Sequence, residues 1–175
     1  QTASIQTPKK VNFEKPLPSP SSASSMPSAT KRAAAGKRFT VGSFCTGLNA
    51  LWLALEKIGA DVLAEDKFAC DSDPYCRSLL RENFNIEKLF GDVFQKNLLQ
   101  QLPSVDLFSA GFPCQPFSKA GRNKGTDDAR GTVVFRCIEY IKNVLPTAFI
   151  LENVAGLVSS HWDDFKDIVR QLRAI

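Results

Sequence analysis

The chain has 175 residues, 43% hydrophobic and 23% charged, enough for a packed core but with no apolar run of membrane-spanning length. Its net charge of +4 is unevenly placed: residues 1–38 carry seven Lys/Arg against one acid, a net +6, while the rest carries fifteen basic and seventeen acidic residues, a net −2. Five scattered cysteines (Cys45, Cys70, Cys76, Cys114, Cys137), with no C-x-x-C pair and one histidine, argue against a disulfide framework and make a poor zinc set, so free thiols in a reducing, intracellular setting and no metal are expected.

Residues 1–38 are rich in Ser, Pro, Ala and Lys, with little to bury, and are expected to form a disordered basic tail. Such a tail can hold nucleic acid through counterion release or serve only as a soluble linker. Lys31-Arg32 and Lys37-Arg38 are compatible with nuclear import. The start shows no secretory signal pattern, and Gln1 in place of Met leads to the expectation of a fragment or a processed chain.

Order is expected from Phe39. Residues 39–45 read as a strand, Thr46-Gly47 as a turn, and residues 48–58 as a helix with apolar positions at 48, 51, 52, 55 and 58, closed by Gly59. Residues 62–68 read as a second strand. Asp73 reads as an N-cap with Pro74 at the first helical position, opening a helix to about Asn83. Residues 87–90 form a short third strand, 93–102 a mostly helical stretch stopped by Pro103, and 105–110 a fourth strand. Residues 132–144 are a long helix, 147–151 a fifth strand, and 162–173 a last amphipathic helix. Strand and helix alternate five times, which predicts a parallel sheet with helices on both faces: an α/β, Rossmann-like class whose first strand-turn-helix is the natural nucleotide site.

The fourth strand runs into Gly111-Phe112-Pro113-Cys114-Gln115-Pro116-Phe117-Ser118. The two prolines place Cys114 on a stiff, extended turn just past a strand's carboxyl end. The residues alone leave it as either a reactive thiol or a small packing residue. The stretch resembles the catalytic loop of the DNA (cytosine-5)-methyltransferases, and Glu152-Asn153-Val154 resembles that family's second catalytic motif. The resemblance covers residues 39–175 and implies the N-terminal part of a catalytic domain with an incomplete parallel sheet of the S-adenosylmethionine-dependent methyltransferase fold.

That resemblance also implies a cofactor, S-adenosylmethionine, at the first turn. Of the motif glycines only Gly47 remains in Ser43-Phe44-Cys45-Thr46-Gly47-Leu48-Asn49-Ala50; Asn49 and Ala50 replace two others. Asp71 corresponds to the ribose-binding acid, and Gly91-Asp92-Val93 to the motif whose acid contacts the adenine amino group. Taken alone, each acid reads as a solvated residue or a helix cap; their order at successive strand ends gives the functional reading. The implied cofactor residues are Phe44, Gly47, Asp71, Asp92, Val93 and Pro113.

The implied chemistry is addition of the Cys114 thiolate to C6 of cytosine, with Glu152 as proton donor or hydrogen-bond partner at N3. The target base must leave its duplex. Gln115, Ser118, Arg130 and Asn153 are expected on the substrate side, the loop 118–130 closing over DNA, and Arg130-Gly131-Thr132 resembles a further family motif. The expected partner is double-stranded DNA, in the nucleus if the source is eukaryotic. The alternatives are a tRNA cytosine-5 methyltransferase of the same fold and a catalytically weak, methyltransferase-like regulatory module. The 175 residues are not expected to methylate DNA by themselves.

Overall fold

A computed structural model describes residues 38–117 and 129–175; the expected basic tail up to residue 37 and loop residues 118–128, Ser118 among them, lie outside the described residues. In chain order the elements are β1 (Phe39–Phe44), α1 (Ala50–Lys57), β2 (Ala64–Cys70), α2 (Pro74–Asn83), β3 (Lys88–Phe90), α3 (Leu98–Gln101), β4 (Leu107–Gly111), α4 (Val133–Val144), β5 (Ala148–Glu152), α5 (Gly156–Ser159) and α6 (Trp162–Arg173). The five strands form one all-parallel sheet in the order β3-β2-β1-β4-β5. The chain steps outward from β1 to β3, then returns to the other side of β1 for β4, so strand order reverses between β1 and β4. In such sheets the crevice at the carboxyl ends beside that reversal is where ligands bind.

Helices cover both faces. On one, Leu55 of α1 packs with Val41 and Ala64. On the other, α4 lays Val134, Cys137, Tyr140 and Ile141 over Phe44, Phe68 and Phe108, joined by Ile168 of α6. Phe44 meets Phe108 edge-on at 5.2 Å, and the Tyr140 ring lies 4.7 Å from that of Phe108. The Tyr140 hydroxyl donates to the Pro103 carbonyl at 2.7 Å, satisfying the one polar atom in this aromatic group.

A bulge decides which β2 residue faces which layer. Val41 pairs with Asp66 but Gly42 pairs with Phe68, leaving Lys67 as the extra residue. Asp66, before the bulge, shares the α1 face with Ala64, while Phe68, after it, turns into the aromatic core. The Phe68 ring crosses directly over Gly42, where a Cβ would stand 2.2 Å from it.

The expected elements are present, with shifted bounds where local hydrogen bonds compete. Asp73 caps α2, its carboxylate accepting the Tyr75 N–H at 2.7 Å, with Pro74 next. Helix α1 begins at Ala50 and not at 48, because Asn49 is left-handed at φ 57°. Strand β2 begins at Ala64 and not at 62, since Asp61–Leu63 close a 3-10 turn. The helix expected over 93–102 shrinks to Leu98–Gln101. Asp92 takes the Phe94 N–H on its side chain and the Gln95 N–H on its carbonyl, and Asn97 is left-handed at φ 60°. Helix α5 was not expected. Among the described residues no helix is long and apolar enough to cross a membrane.

Candidate active site

The turn after β1 is built from three left-handed residues in alternation, Cys45 (φ 51°), Gly47 (φ 54°) and Asn49 (φ 57°). Only glycine adopts this conformation freely, with Asn the best tolerated of the others. Three tethers hold the turn against β2 and its end. Thr46 donates its N–H to the Cys70 carbonyl at 3.2 Å, and its hydroxyl accepts the Cys70 N–H at 3.2 Å. The Gly47 N–H donates to Asp71 Oδ2 at 2.8 Å. The Asn49 side-chain amide donates to Asp66 Oδ2 at 3.0 Å. A Cβ on Gly47 would meet nothing within 4 Å, so its backbone faces open space.

Asp71 organises the end of β2. Its second oxygen, Oδ1, accepts the Asp73 N–H at 2.9 Å, and Arg77 Nη1 donates to the Asp71 and Ser72 carbonyls at 2.8 Å each. Each carboxylate oxygen thus spends one lone pair on backbone and keeps another for a ligand hydroxyl. Asp92, at the end of β3, is exposed. Two neighbouring strands therefore end in carboxylates beside the open turn.

The ends of β4 and β5 carry the other half. Gly111 pairs in register with Glu152, the last residue of β5, and a Cβ on Gly111 would lie 3.4 Å from Glu152 Oε2. Glu152 shares the α1 side of the sheet with Ile150, Ser109 and Gly111, at the edge of a cleft of about 420 Å³ whose other wall is the first turn: Cys45, Thr46 and Asn49. Cys114, Asp71 and Asp92 do not line that cleft. Asn153 donates its side-chain amide to the Phe112 carbonyl at 2.9 Å, tying the end of β5 to the segment that delivers Cys114.

Pro113 and Cys114 are half-buried, and Gln115, exposed, opens a 3-10 turn that ends in the fully buried Phe117. Phe117 stands edge-on to Phe112 and to His161, at 6.0 and 5.5 Å. Gly156 lies so close to this turn that a Cβ there would fall 2.2 Å from the Phe117 carbonyl oxygen. Arg130 is exposed in the 3-10 turn that leads into α4.

Four thiols, Cys45, Cys70, Cys76 and Cys137, are raised above the ordinary thiol value. Burial, reinforced by Asp71 and Asp92, pushes Cys45 up to about 12. Burial, then Cys45 and the same acids, does so for Cys70, also to about 12. Burial raises Cys137 well above the ordinary thiol range, and burial followed by Asp71 and Asp73 raises Cys76. A nucleophilic cysteine needs its thiolate, which burial disfavours at Cys45, Cys70 and Cys137.

Residues 39–175 match the C-5 cytosine-specific DNA methylase family. The chain belongs to that family. It is 40% identical over 114 residues to the type II methyltransferase M.NgoBI of Neisseria gonorrhoeae, covering 65% of this chain and 34% of the relative. To M.HhaI of Haemophilus parahaemolyticus it is 34% identical over 124 residues, covering 71% and 36%. The chain thus spans about a third of the length of these methyltransferases. Among solved structures, a Spodoptera frugiperda DNMT2 variant aligns with a TM-score of 0.55 at 23% identity, over 77% of this chain and 41% of that one. That likeness establishes the Rossmann-like methyltransferase fold.

Within this methylase fold, two expected cofactor residues stand differently from the rest. The Phe44 ring is wholly buried among Phe68, Phe108 and Tyr140, although the residue borders the cleft, and Val93 is buried in the same core. Nothing in the sequence pointed to Arg77 or to the Asn49–Asp66 pair. The left-handed tolerance of Asn at 49 was a visible signal; its partner 17 residues away was not.

Proposed function

We propose that the full protein transfers a methyl group from S-adenosylmethionine to C5 of cytosine in double-stranded DNA, through a transient bond between Cys114 and C6 of the base. The observation that carries this reading is the pairing of Gly111, which leads into Pro113-Cys114, with Glu152: a candidate nucleophile and a candidate acid are delivered by adjacent strand ends. The naming of relatives such as M.NgoBI as type II methyltransferases supports it.

The residues at the first turn suit the cofactor. Its nucleoside needs acceptors for ribose hydroxyls and for an amino group, which Asp71 and Asp92 supply, and a backbone open to close approach, which Gly47 supplies. Pro113 would bound the site on the β4 side, with Phe44 and Val93 supporting it from the core. When bound, S-adenosylmethionine supplies an electrophilic methyl group on a positively charged sulfur.

Cytosine C5 is a weak nucleophile until C6 is attacked. The Cys114 sulfur, as thiolate, forms a bond to C6 and sends an electron pair toward C5, while the Glu152 carboxyl donates a hydrogen bond or proton to N3. C5 would then accept the methyl group as its bond to the cofactor sulfur breaks, that bonding pair staying on sulfur. Loss of the C5 hydrogen as a proton returns its bonding pair to the ring, and the Sγ–C6 pair leaves with sulfur, regenerating the thiolate. Asn153 holds the Phe112 carbonyl and so the approach to Cys114. In this reading Gln115, Ser118 and Arg130 would meet the DNA, from whose stack the base must be flipped. The free thiols fit a reducing intracellular setting, nuclear in a eukaryote.

Transfer of labelled methyl from the cofactor, measured with the full protein on duplex DNA and on tRNA, tests this. Duplex DNA is expected to be labelled, and Cys114→Ser to lower the rate by about 10³-fold or more. Labelling of tRNA alone would reassign the substrate. Labelling that survives Cys114→Ser would remove the covalent mechanism.

A further inference from the structure

Asn49 and Asp66 are the most thoroughly enclosed polar pair near the first turn. Asn49 is 3% exposed and Asp66 7%. Asp66 lies on the α1 side with Ala64, in register with Val41 just before the bulge at Lys67, and its Oδ2 takes the Asn49 amide at 3.0 Å. Asn49 is also the left-handed residue that ends the turn and precedes α1: its N–H bonds to the Thr46 carbonyl at 2.9 Å and its carbonyl accepts the Leu53 N–H at 3.1 Å. One residue therefore closes the turn, starts the helix and reaches across to β2.

A carboxylate buried at mid-strand is unfavourable for folding unless something uses it. Burial raises the Asp66 carboxyl to about 6, against the opposing pull of the Asn49 hydrogen bond. The other two tethers, from Thr46 and Gly47, hold the turn at its near end. The third, from Asn49, is the side-chain hydrogen bond that ties the far end of the turn to β2, beside the packing of Leu51 and Leu55.

Resting on the cofactor reading above, we propose that Asn49 and Asp66 are a positioning pair that sets the turn for S-adenosylmethionine. Asn49 is thus more than a residue that tolerates left-handed backbone: its amide anchors the turn to β2, and Asp66 acts on the cofactor through Asn49 without touching it.

The test measures S-adenosylmethionine affinity by calorimetry, and the unfolding midpoint, for the full protein and its variants. Failure of the parent protein to bind would strike the cofactor reading itself. Given parent binding, Asn49→Gly/Asp66→Leu keeps a residue at ease with positive φ and removes the buried charge, so it is expected to fold with a midpoint near the parent's while binding about ten-fold more weakly. Asp66→Asn, which keeps an acceptor for the amide, is expected to bind as the parent does. A purely structural pair would give parent-like affinity in every folded variant, and that result overturns the proposal. So does a loss in Asp66→Asn as large as in the double variant. If the double variant does not fold, Asn49→Gly alone takes its place in the same comparison.

Discussion

Asp66 shows what a single buried carboxyl does to this protein's pH response. Its unfolded value is near 3.8 and its folded value about 6, raised chiefly by burial. A raised carboxyl favours the folded state below the unfolded value, and that contribution is lost as pH rises through the folded one. From this residue alone, stability is therefore expected to fall between about pH 4 and pH 7, by on the order of 2–3 kcal/mol. Asp66→Asn is expected to flatten that slope and raise stability at pH 7, read from denaturant unfolding of parent and variant at pH 4, 5.5 and 7. Parallel pH profiles for the two proteins would contradict the burial argument. Residues were legible in the sequence where their partners are local: Asp73 caps the residues that follow it. Asp66 was not, because nothing within its own strand announces its partner Asn49 on the first turn.

At the scale of elements, strand and helix existence followed from alternating apolar runs and turn residues, and α6 was expected with its observed bounds. The misses have local causes. An Asx turn at Asp92 and a left-handed Asn97 divert backbone hydrogen bonds that a longer α3 would need. Helix α5 is four residues long, too short to carry an apolar period, and depends instead on contact. That contact gives a prediction. Gly156, first residue of α5, sits against the Phe117 carbonyl, three residues beyond Cys114, where an added methyl would fall at 2.2 Å. Backbone cannot yield as a flexible side chain can, so Gly156→Ala is expected to displace the 115–117 turn. Stability should drop by about 1–3 kcal/mol, and the methyl-transfer rate should fall further than cofactor affinity does. Calorimetric binding set beside single-turnover rates checks this; equal losses in both would show that the displacement is not confined to the Cys114 loop.

For the whole molecule, the doubly wound topology gathers the candidate chemistry. The order β3-β2-β1-β4-β5 sends Asp92, Asp71, the Gly47 turn, the Cys114 loop and Glu152 to the same carboxyl edge, although they span more than half of the described sequence. That convergence was legible because parallel alternation leaves few topologies, and because the Cys114 and Glu152 motifs each follow an apolar strand. What sequence could not supply was the cross-bracing by Arg77 on two carbonyls and by Asn49 on Asp66. Strand β5 stands at the sheet edge with Phe149 and Ile150 exposed on its two faces, so the surface beside Glu152 is apolar as well as open. The central claim is that Cys114, alone among the five cysteines, attacks the base. Duplex DNA carrying 5-fluorocytosine tests it most directly, because fluorine in place of the C5 hydrogen blocks the final elimination and leaves the Sγ–C6 bond in place. With the full protein and S-adenosylmethionine, peptide mass mapping is expected to locate the adduct on Cys114 and to find none in Cys114→Ser. An adduct on Cys45, Cys70, Cys76 or Cys137, or persistence of the adduct in Cys114→Ser, would contradict the account.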